Sequence, residues 1–298
     1  MRQARSLQSV TAAAPSAENL TRRVLAAYRE IDDPRLLAVV EGVIKHMHAC
    51  ITELRPSDEE YEFLWTLLEK MAAYTTPERN EFLLLFDVLG VSQLVDIVRH
   101  PTAPGAVGYA LVGPFYRDGA PWRERGASIA SDDTAGIRVA ITGRVHDLAT
   151  GRPIAGAVLD TWQAATNGLY ENQDPAQPPF NLRGRFRSSD DGTFELVALM
   201  PTAYPVPTDG PVGALLEIAK RPPYRPAHIH FIVSAPGYET LVTQVFVRGD
   251  NQIDDDVVFT ADADMVGAFV MEGDRRRLHY DLPLTAGTPR VPKAPLPA

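Results

Sequence analysis

Residues 225–247 read "RPAHIHFIVSAPGYETLVTQVFV". Two β-branched and aromatic runs flank "APGYE", where Pro236 and Gly237 mark a turn, so the stretch predicts two short strands with a tight connection. Along a strand, residues i and i+2 share a face. His228 and His230 therefore point the same way, and Arg225 stands three residues before the first of them. The chain carries a second H-x-H, His46 and His48, inside "PRLLAVVEGVIKHMHACITEL" at 34–54, whose apolar spacing is helical. Residues two apart on a helix face nearly opposite sides, so His46 and His48 are expected as helix-surface or helix-interface residues. The first pair can share a ligand. The second cannot.

The texture around these two stretches differs along the chain. Residues 17 to 100 are poor in glycine and helical in pattern, predicting helices near 17–31, 34–54, 57–74 and 77–98, the last interrupted at Gly90. Ser57 with Glu60 forms a capping box, and Pro34 and Pro77 suit first-turn positions after Asp33 and Thr76. "HPTAPGAVGYALVGPFYRDGAPWRERGA", at 100–127, then brings Gly and Pro every few residues. Short β-rich runs follow: "IRVAITGRVHD", "AGAVLDTWQA", "GTFELVAL", "AHIHFIVSA" and "LVTQVFV". Their spacing and boundaries suit an antiparallel sandwich. The expected fold is mainly β with an α-helical N-terminal domain: a tail at 1–16, a helical domain at 17–103 and an antiparallel β-sandwich core at 104–298. The C-terminal "LTAGTPRVPKAPLPA" is expected to be extended.

Composition bounds the function. Of the 298 residues 45% are hydrophobic and 22% charged, as in ordinary soluble domains. A formal charge of −9 without a basic stripe argues against nucleic-acid binding. Cys50 is the only cysteine, which excludes a disulfide framework and thiolate metal sites and fits a reducing compartment. No stretch approaches a membrane span, and the first twenty residues carry no secretory apolar core. A cytoplasmic protein is expected.

Two neutral imidazoles on one strand face suit a transition metal, though a lone H-x-H also serves as a hydrogen-bonded core pair. With sulfur absent, further ligands would have to be oxygen donors. Tyr170 in "TNGLYENQ" and Tyr204 in "MPTAYPVPTDGPVG" lie at element ends beside Gly or Pro, as ligands or as packing residues. Taken together, "LVGPFY", "GRVHDLATGRPIAGAVLDTWQA", "GLY", "MPTAYPVPTDGPVG", "RPAHIHF" and "LVTQVF" resemble, in order and spacing, the intradiol ring-cleavage dioxygenases, in the catechol and hydroxyquinol 1,2-dioxygenase branch. The resemblance implies one Fe(III) per subunit, held by Tyr170, Tyr204, His228 and His230. Phenolate is a hard, donating ligand that suits a hard ferric ion. It implies an aromatic diol and O₂ as substrates, with Tyr204 accepting a substrate proton and Arg225 and Gln244 as the remaining catalytic residues. It also implies a homodimer formed by the helical segment around a bound phospholipid.

By the same resemblance Leu84, Asp87, Val112, Gly113, Pro114, Phe115, Met200 and Val258 line the ring pocket with Arg225. Asp87 follows four apolar residues, "LLLF", and a buried carboxylate needs a partner. A third ring hydroxyl would provide one, and so would a nearby backbone or basic group. The first possibility makes benzene-1,2,4-triol (hydroxyquinol) the preferred substrate, cleaved to 3-hydroxy-cis,cis-muconate, which tautomerises to maleylacetate. Catechol or a chlorocatechol, giving cis,cis-muconates, is the alternative. Two other classes are compatible with parts of the sequence: "GRVHDLATGRPIAGAVLDTW" suits a transthyretin-like binding module, and H-x-H a zinc hydrolase, although tyrosinate matches zinc poorly. A red-brown colour from ferric tyrosinate would separate the dioxygenase from both.

Overall fold

The structure is a computed structural model that describes residues 16–76, 79–100, 103–273 and 275–296. Of the expected tail only Ser16 is described, and Pro77 also lies outside the described residues. Two compact units are present, one running to Leu68 and one from Glu69 onward.

The first unit is helical. α1 (Ala17–Ala27) starts at Ser16, whose hydroxyl accepts from Asn19 N, and ends earlier than its periodicity suggests, at a Tyr28 cap. α2 (Pro34–Leu54) has Asp33 accepting from the amides of Arg35 and Leu36, with Pro34 where no amide is needed. α3 (Asp58–Tyr74) runs past the boundary of the unit and opens with the expected reciprocal cap: Ser57 N donates to Glu60 Oε2 at 2.8 Å and Glu60 N to Ser57 Oγ at 3.2 Å. No residue of α1 or α2 is buried. Leu36, Val39, Val43, Met47, Ile51 and Leu54 form an exposed stripe at helical spacing along α2. His46 is exposed, and His48, half-buried, has Nδ1 2.8 Å from the Thr21 hydroxyl. Both are helix-surface residues, as their spacing requires.

The second unit opens with α4 (Glu81–Val88) and α5 (Val91–Arg99), where one interrupted helix is expected. The break is at Gly90, whose φ of 70° is open to glycine at little cost. The strands follow: β1 (Arg138–Asp147), β2 (Val158–Trp162), β3 (Arg183–Arg187), β4 (Thr193–Leu199) and the two-residue β5 (Tyr204–Pro205). After α6 (Pro211–Ile218) come β6 (Tyr224–Arg225), β7 (His228–Ser234), β8 (Leu241–Val247), β9 (Val266–Gly267), β10 (Val270–Glu272), β11 (Arg275–His279) and β12 (Leu282–Leu284).

They build two five-stranded sheets. One runs β10-β11-β1-β12 with β4 also on β1, the other β3-β2-β7-β8-β9, and β5 and β6 form a separate ribbon. Val139, Ile141 and Val145 of β1 with Phe194, Leu196 and Ala198 of β4 meet Leu159, Phe186, Ile229, Phe231 and Val233 of the other sheet in one buried cluster. That cluster is the core of the sandwich. The sheets are mixed rather than purely antiparallel: β11 and β12 run parallel to β1, and β9 parallel to β8. These parallel strands come from residues 266–284, whose short, arginine-bearing runs carry little strand signal.

β7 is buried on both faces, which explains why its sequence is a continuous apolar run rather than an alternation. Its odd-numbered residues enter the core. Its even-numbered ones, His228, His230 and Ile232, face the other way, where they are covered by loops.

Candidate active site

On that outer face the sheet register sets three side chains in a row. Trp162 of β2 is paired with His230, and Gln244 of β8 is paired with His230 from the other side. The Trp162 and His230 rings stack with centroids 4.6 Å apart and planes 10° from parallel. The β5–β6 ribbon pairs Tyr204 directly with Arg225, bringing both to the same place. Tyr170 arrives from the loop after β2, where its amide donates to Gln173 Oε1 and its ring stacks on Phe115 at 4.8 Å. Gly168 makes this approach possible: a Cβ there would lie 3.0 Å from the Cβ of Tyr204, and its φ is 81°.

The four side chains converge on one point. Tyr170 Oη lies 3.0 Å from Tyr204 Oη and 3.0 Å from His230 Nε2, the two Nε2 atoms are 3.1 Å apart, and Tyr204 Oη is 3.5 Å from His228 Nε2. All four residues are buried. His228 Nδ1 lies 2.6 Å from the Pro226 carbonyl, a contact that holds the proton on Nδ1 and leaves Nε2 as a lone pair facing the others. Burial and the Arg225 charge push the His228 pKa down to about 3, and burial with the neighbouring His228 pushes His230 well below the imidazole range. Both rings are neutral. Burial also raises both phenols, Tyr170 the more strongly because Tyr204 adds a like charge.

This donor set suits a metal cation. Ligand atoms about 2 Å from one first-row ion sit roughly 3 Å from each other, the spacing seen among these four. A ferric ion would bring the positive charge that lets the two buried phenols bind as phenolates beside the two neutral imidazole lone pairs. Among the described residues no three His, Cys, Asp or Glu side chains converge, so the donors beside the imidazoles are the phenol oxygens. Tyr170, Tyr204, His228 and His230 therefore fit Fe(III), with hard oxygen donors where a zinc site would have a third histidine or a carboxylate.

Arg225 is braced against this cluster. Its Nη2 donates to Gln244 Oε1 at 2.7 Å, and its Nε and Nη2 each approach Asp256 at 3.4 Å. Gln244 is itself fixed through Nε2 to the Leu111 carbonyl at 2.8 Å. Burial alone would raise the Asp256 carboxyl, but the guanidinium outweighs it and holds the pKa below the usual range. Nη1 is the end left facing the cluster, 3.2 Å from His228 Nε2.

Beside the cluster is a small, mostly apolar cavity. Leu84, Asp87, Val112, Gly113, Pro114, Phe115, Arg225 and Val258 all line it, as do Tyr170, Tyr204 and His230. Asp87 is buried, and burial raises its carboxyl to about 6 despite the Ser92 hydroxyl and the Arg225 charge. Met200 is not there: it packs against the sandwich core, its amide bonded to the Ile137 carbonyl. It follows directly on Leu199, the last residue of β4, and its backbone stays bonded at the sheet end instead of turning toward the cavity. Leu111, at the start of "LVGPFY", lines the cavity as well, whereas Trp162, Val206 and Pro207 line it and were not anticipated, nor was Asp256. Trp162 was legible only as the inward alternation of "LDTWQ", and Asp256 was hidden in an acidic run that reads as a solvated turn.

Residues 33–107 match the family model described as catechol dioxygenase N terminus, and residues 111–286 match the model described as dioxygenase. The hydroxyquinol 1,2-dioxygenase of Rhizobium sp. (strain MTP-10005) is 40% identical over 261 residues, 87% of this chain and 88% of the relative. The 6-chlorohydroxyquinol 1,2-dioxygenase of Cupriavidus pinatubonensis (strain JMP 134 / LMG 1197) is 38% identical, covering 89% of this chain and 96% of its own. Among solved structures, hydroxyquinol 1,2-dioxygenase from Pseudomonas putida DLL-E4 aligns with a TM-score of 0.85 at 35% identity, covering 91% of this chain and 99% of that one. With both halves of the chain matched and the phenol–imidazole cluster in place, the chain belongs to the intradiol ring-cleavage dioxygenases, Fe(III) enzymes that open aromatic diols with O₂.

Proposed function

We propose that this dioxygenase prefers hydroxyquinol, with Tyr170, Tyr204, His228 and His230 as its iron ligands. The observation that carries the preference is Asp87, a buried carboxyl in the lining of the ring cavity, among Leu84, Val112, Phe115 and Val258 and in addition to the polar groups Arg225, Tyr170, Tyr204 and His230. Catechol has no third hydroxyl to offer it, and hydroxyquinol does. The names of the similar proteins from Rhizobium, Cupriavidus and Pseudomonas putida support the same choice.

When bound, Fe(III) supplies a Lewis acid that takes up the deprotonated diol and holds it for reaction with O₂. The chain does the rest. Tyr204, beside Arg225 on the ribbon, would be a phenolate when it holds the metal, and in that form its Oη would accept a proton from a substrate hydroxyl and leave as the phenol. Arg225 Nη1, held by Asp256 and Gln244 behind it, offers a fixed positive charge to the ring carbon that becomes electron-rich. Val112, Phe115, Trp162 and Val258 keep water from the ring. Asp87, as carboxylate, accepts from the third hydroxyl. One O₂ is consumed and its atoms enter the two new carboxyl groups of 3-hydroxy-cis,cis-muconate.

The same reading assigns a homodimer to the helical segment at 17–103, with a phospholipid at the interface, and the 104–298 segment to catalysis. The exposed apolar stripe of α2 supports the first part, because a stripe of that length is seldom left to water. A cytoplasmic setting belongs to it too: Cys50 is an exposed free thiol, and among the described residues no helix is long and apolar enough to cross a membrane. Product analysis after aerobic turnover of hydroxyquinol tests the reaction. Maleylacetate, formed with one O₂ per substrate, is expected, and a ring opened outside the two adjacent hydroxyls would refute it.

A further inference from the structure

Two walls of the ring cavity come from segments far apart in sequence: α4, which carries Leu84 and Asp87, and the turn after Asp256, which carries Val258. A single side chain outside the cavity joins them. Arg221 Nη1 donates to the Val88 carbonyl at 2.9 Å, and its Nη2 donates to the Val257 carbonyl at 3.2 Å. Val88 follows Asp87, and Val257 precedes Val258. The Val88 carbonyl belongs to the last turn of α4, where carbonyls lack helical partners and a cation is favoured. The guanidinium also lies over the Phe259 ring, 4.4 Å from its centroid.

Phe259 is itself unusual. It has a φ of 59°, which a bulky side chain rarely adopts, and its ring is half exposed. That ring closes on Gly90 at the α4–α5 break, where an added Cβ would come within 3.3 Å of Cδ2. A left-handed backbone at a large aromatic persists only when its surroundings over-determine it. Here Arg221 lies over the ring and Gly90 packs against it.

We propose that Arg221 is a specificity-determining positioning residue: with Phe259 it straps α4 to the 256–261 turn and so sets the distance between Asp87 and Val258 across the substrate ring. The proposal rests on the reading that these two residues bound the ring pocket. Lysine cannot replace the strap fully, because an ammonium lacks the planar fork that reaches two carbonyls while lying on an aromatic face. Arg221 touches neither the donor cluster nor the cavity, so its loss leaves the iron site assembled.

The test compares iron-loaded wild type with Arg221→Met, Arg221→Lys and Asp87→Ala. Hydroxyquinol and catechol are each measured for kcat and KM, and for dissociation constants by anaerobic titration of the visible spectrum. The expected result for Arg221→Met is a fall of about tenfold in the hydroxyquinol-to-catechol ratio of kcat/KM, the size of one lost ordering contact. The loss falls in KM and the anaerobic dissociation constant, with kcat and the resting visible band kept. Arg221→Lys is expected to recover part of the loss. If Asp87→Ala lowers the ratio while both Arg221 variants keep the wild-type value, the strap is refuted and the pocket reading stands. If Asp87→Ala leaves the ratio unchanged, the pocket reading fails and the proposal fails with it. An Arg221→Met enzyme that loses thermal stability at an unchanged ratio reduces Arg221 to a structural role and overturns the proposal.

Discussion

Tyr170, Tyr204, His228 and His230 each have a donor atom 3.0–3.5 Å from those of two of the others, although they come from a loop, a two-residue strand and one longer strand. The strand pair was legible from residue spacing alone, because period two leaves no other arrangement for H-x-H in a β run. The tyrosines were not: a tyrosine beside glycine at an element end reads equally as packing, and only the family motifs singled them out. Asp256 was illegible, since its value lies in Arg225, 31 residues away. Replacing Tyr170 with Phe is expected to remove the visible charge-transfer band and turnover together. His228→Ala is expected to lower bound iron itself, measured by metal analysis, because one of the four proposed ligands is gone. Asp87→Ala is expected to reduce selectivity for hydroxyquinol over catechol by about one to two orders of magnitude, the worth of one charge-assisted hydrogen bond. Its titration adds a sign. The Asp87 carboxyl is raised to about 6, so it is protonated below that pH and accepts from a hydroxyl above it. Selectivity in the wild type is expected to climb as pH rises through 6 and then flatten, while Asp87→Ala stays flat. Stability runs the other way: a carboxyl raised in the folded state favours folding at low pH, and that contribution is lost as pH rises from about 4 towards 6.

At the scale of elements, the strongest local signals were caps and continuous apolar runs. The Asp33–Pro34 start of α2 and the Ser57–Glu60 box before α3 were fully written in the sequence, and both bonds of the box are present. Ser57→Ala removes one of them and is expected to cost about 1 kcal/mol, read by thermal or urea denaturation of the first unit. The strands missed are instructive. β3 is "RGRFR", which reads as a solvated turn, yet Phe186 enters the core and Arg183 is buried against Glu171 at 3.0 Å. Long cationic side chains paired inside the molecule look the same in sequence as those in water. β11 hides likewise in "RRRLH", and α6 carries both Pro211 and Gly213 in its first turn. β7 and β8 were the clearest strands because both their faces are buried.

At the scale of the whole molecule, the net charge argued against nucleic-acid binding and the single cysteine against a disulfide scaffold, and the division into helical and β-rich parts was visible in the spacing of Gly and Pro. What composition could not convey is which surface a second copy would cover. The α2 stripe of Val39, Val43 and Met47 is exposed in a single chain, and the proposed dimer would bury it. Val43→Glu with Met47→Glu is expected to give monomers at low micromolar concentration, by sizing with light scattering, where wild type gives dimers. Dimers that survive both charges would place the interface elsewhere. Solvent extraction and mass spectrometry of the wild type test the lipid. The central claim is the choice of ring, and oxygen uptake by one iron-loaded preparation, with benzene-1,2,4-triol and with catechol, tests it most directly. A higher kcat/KM for the triol is expected, and a higher kcat/KM for catechol would contradict it.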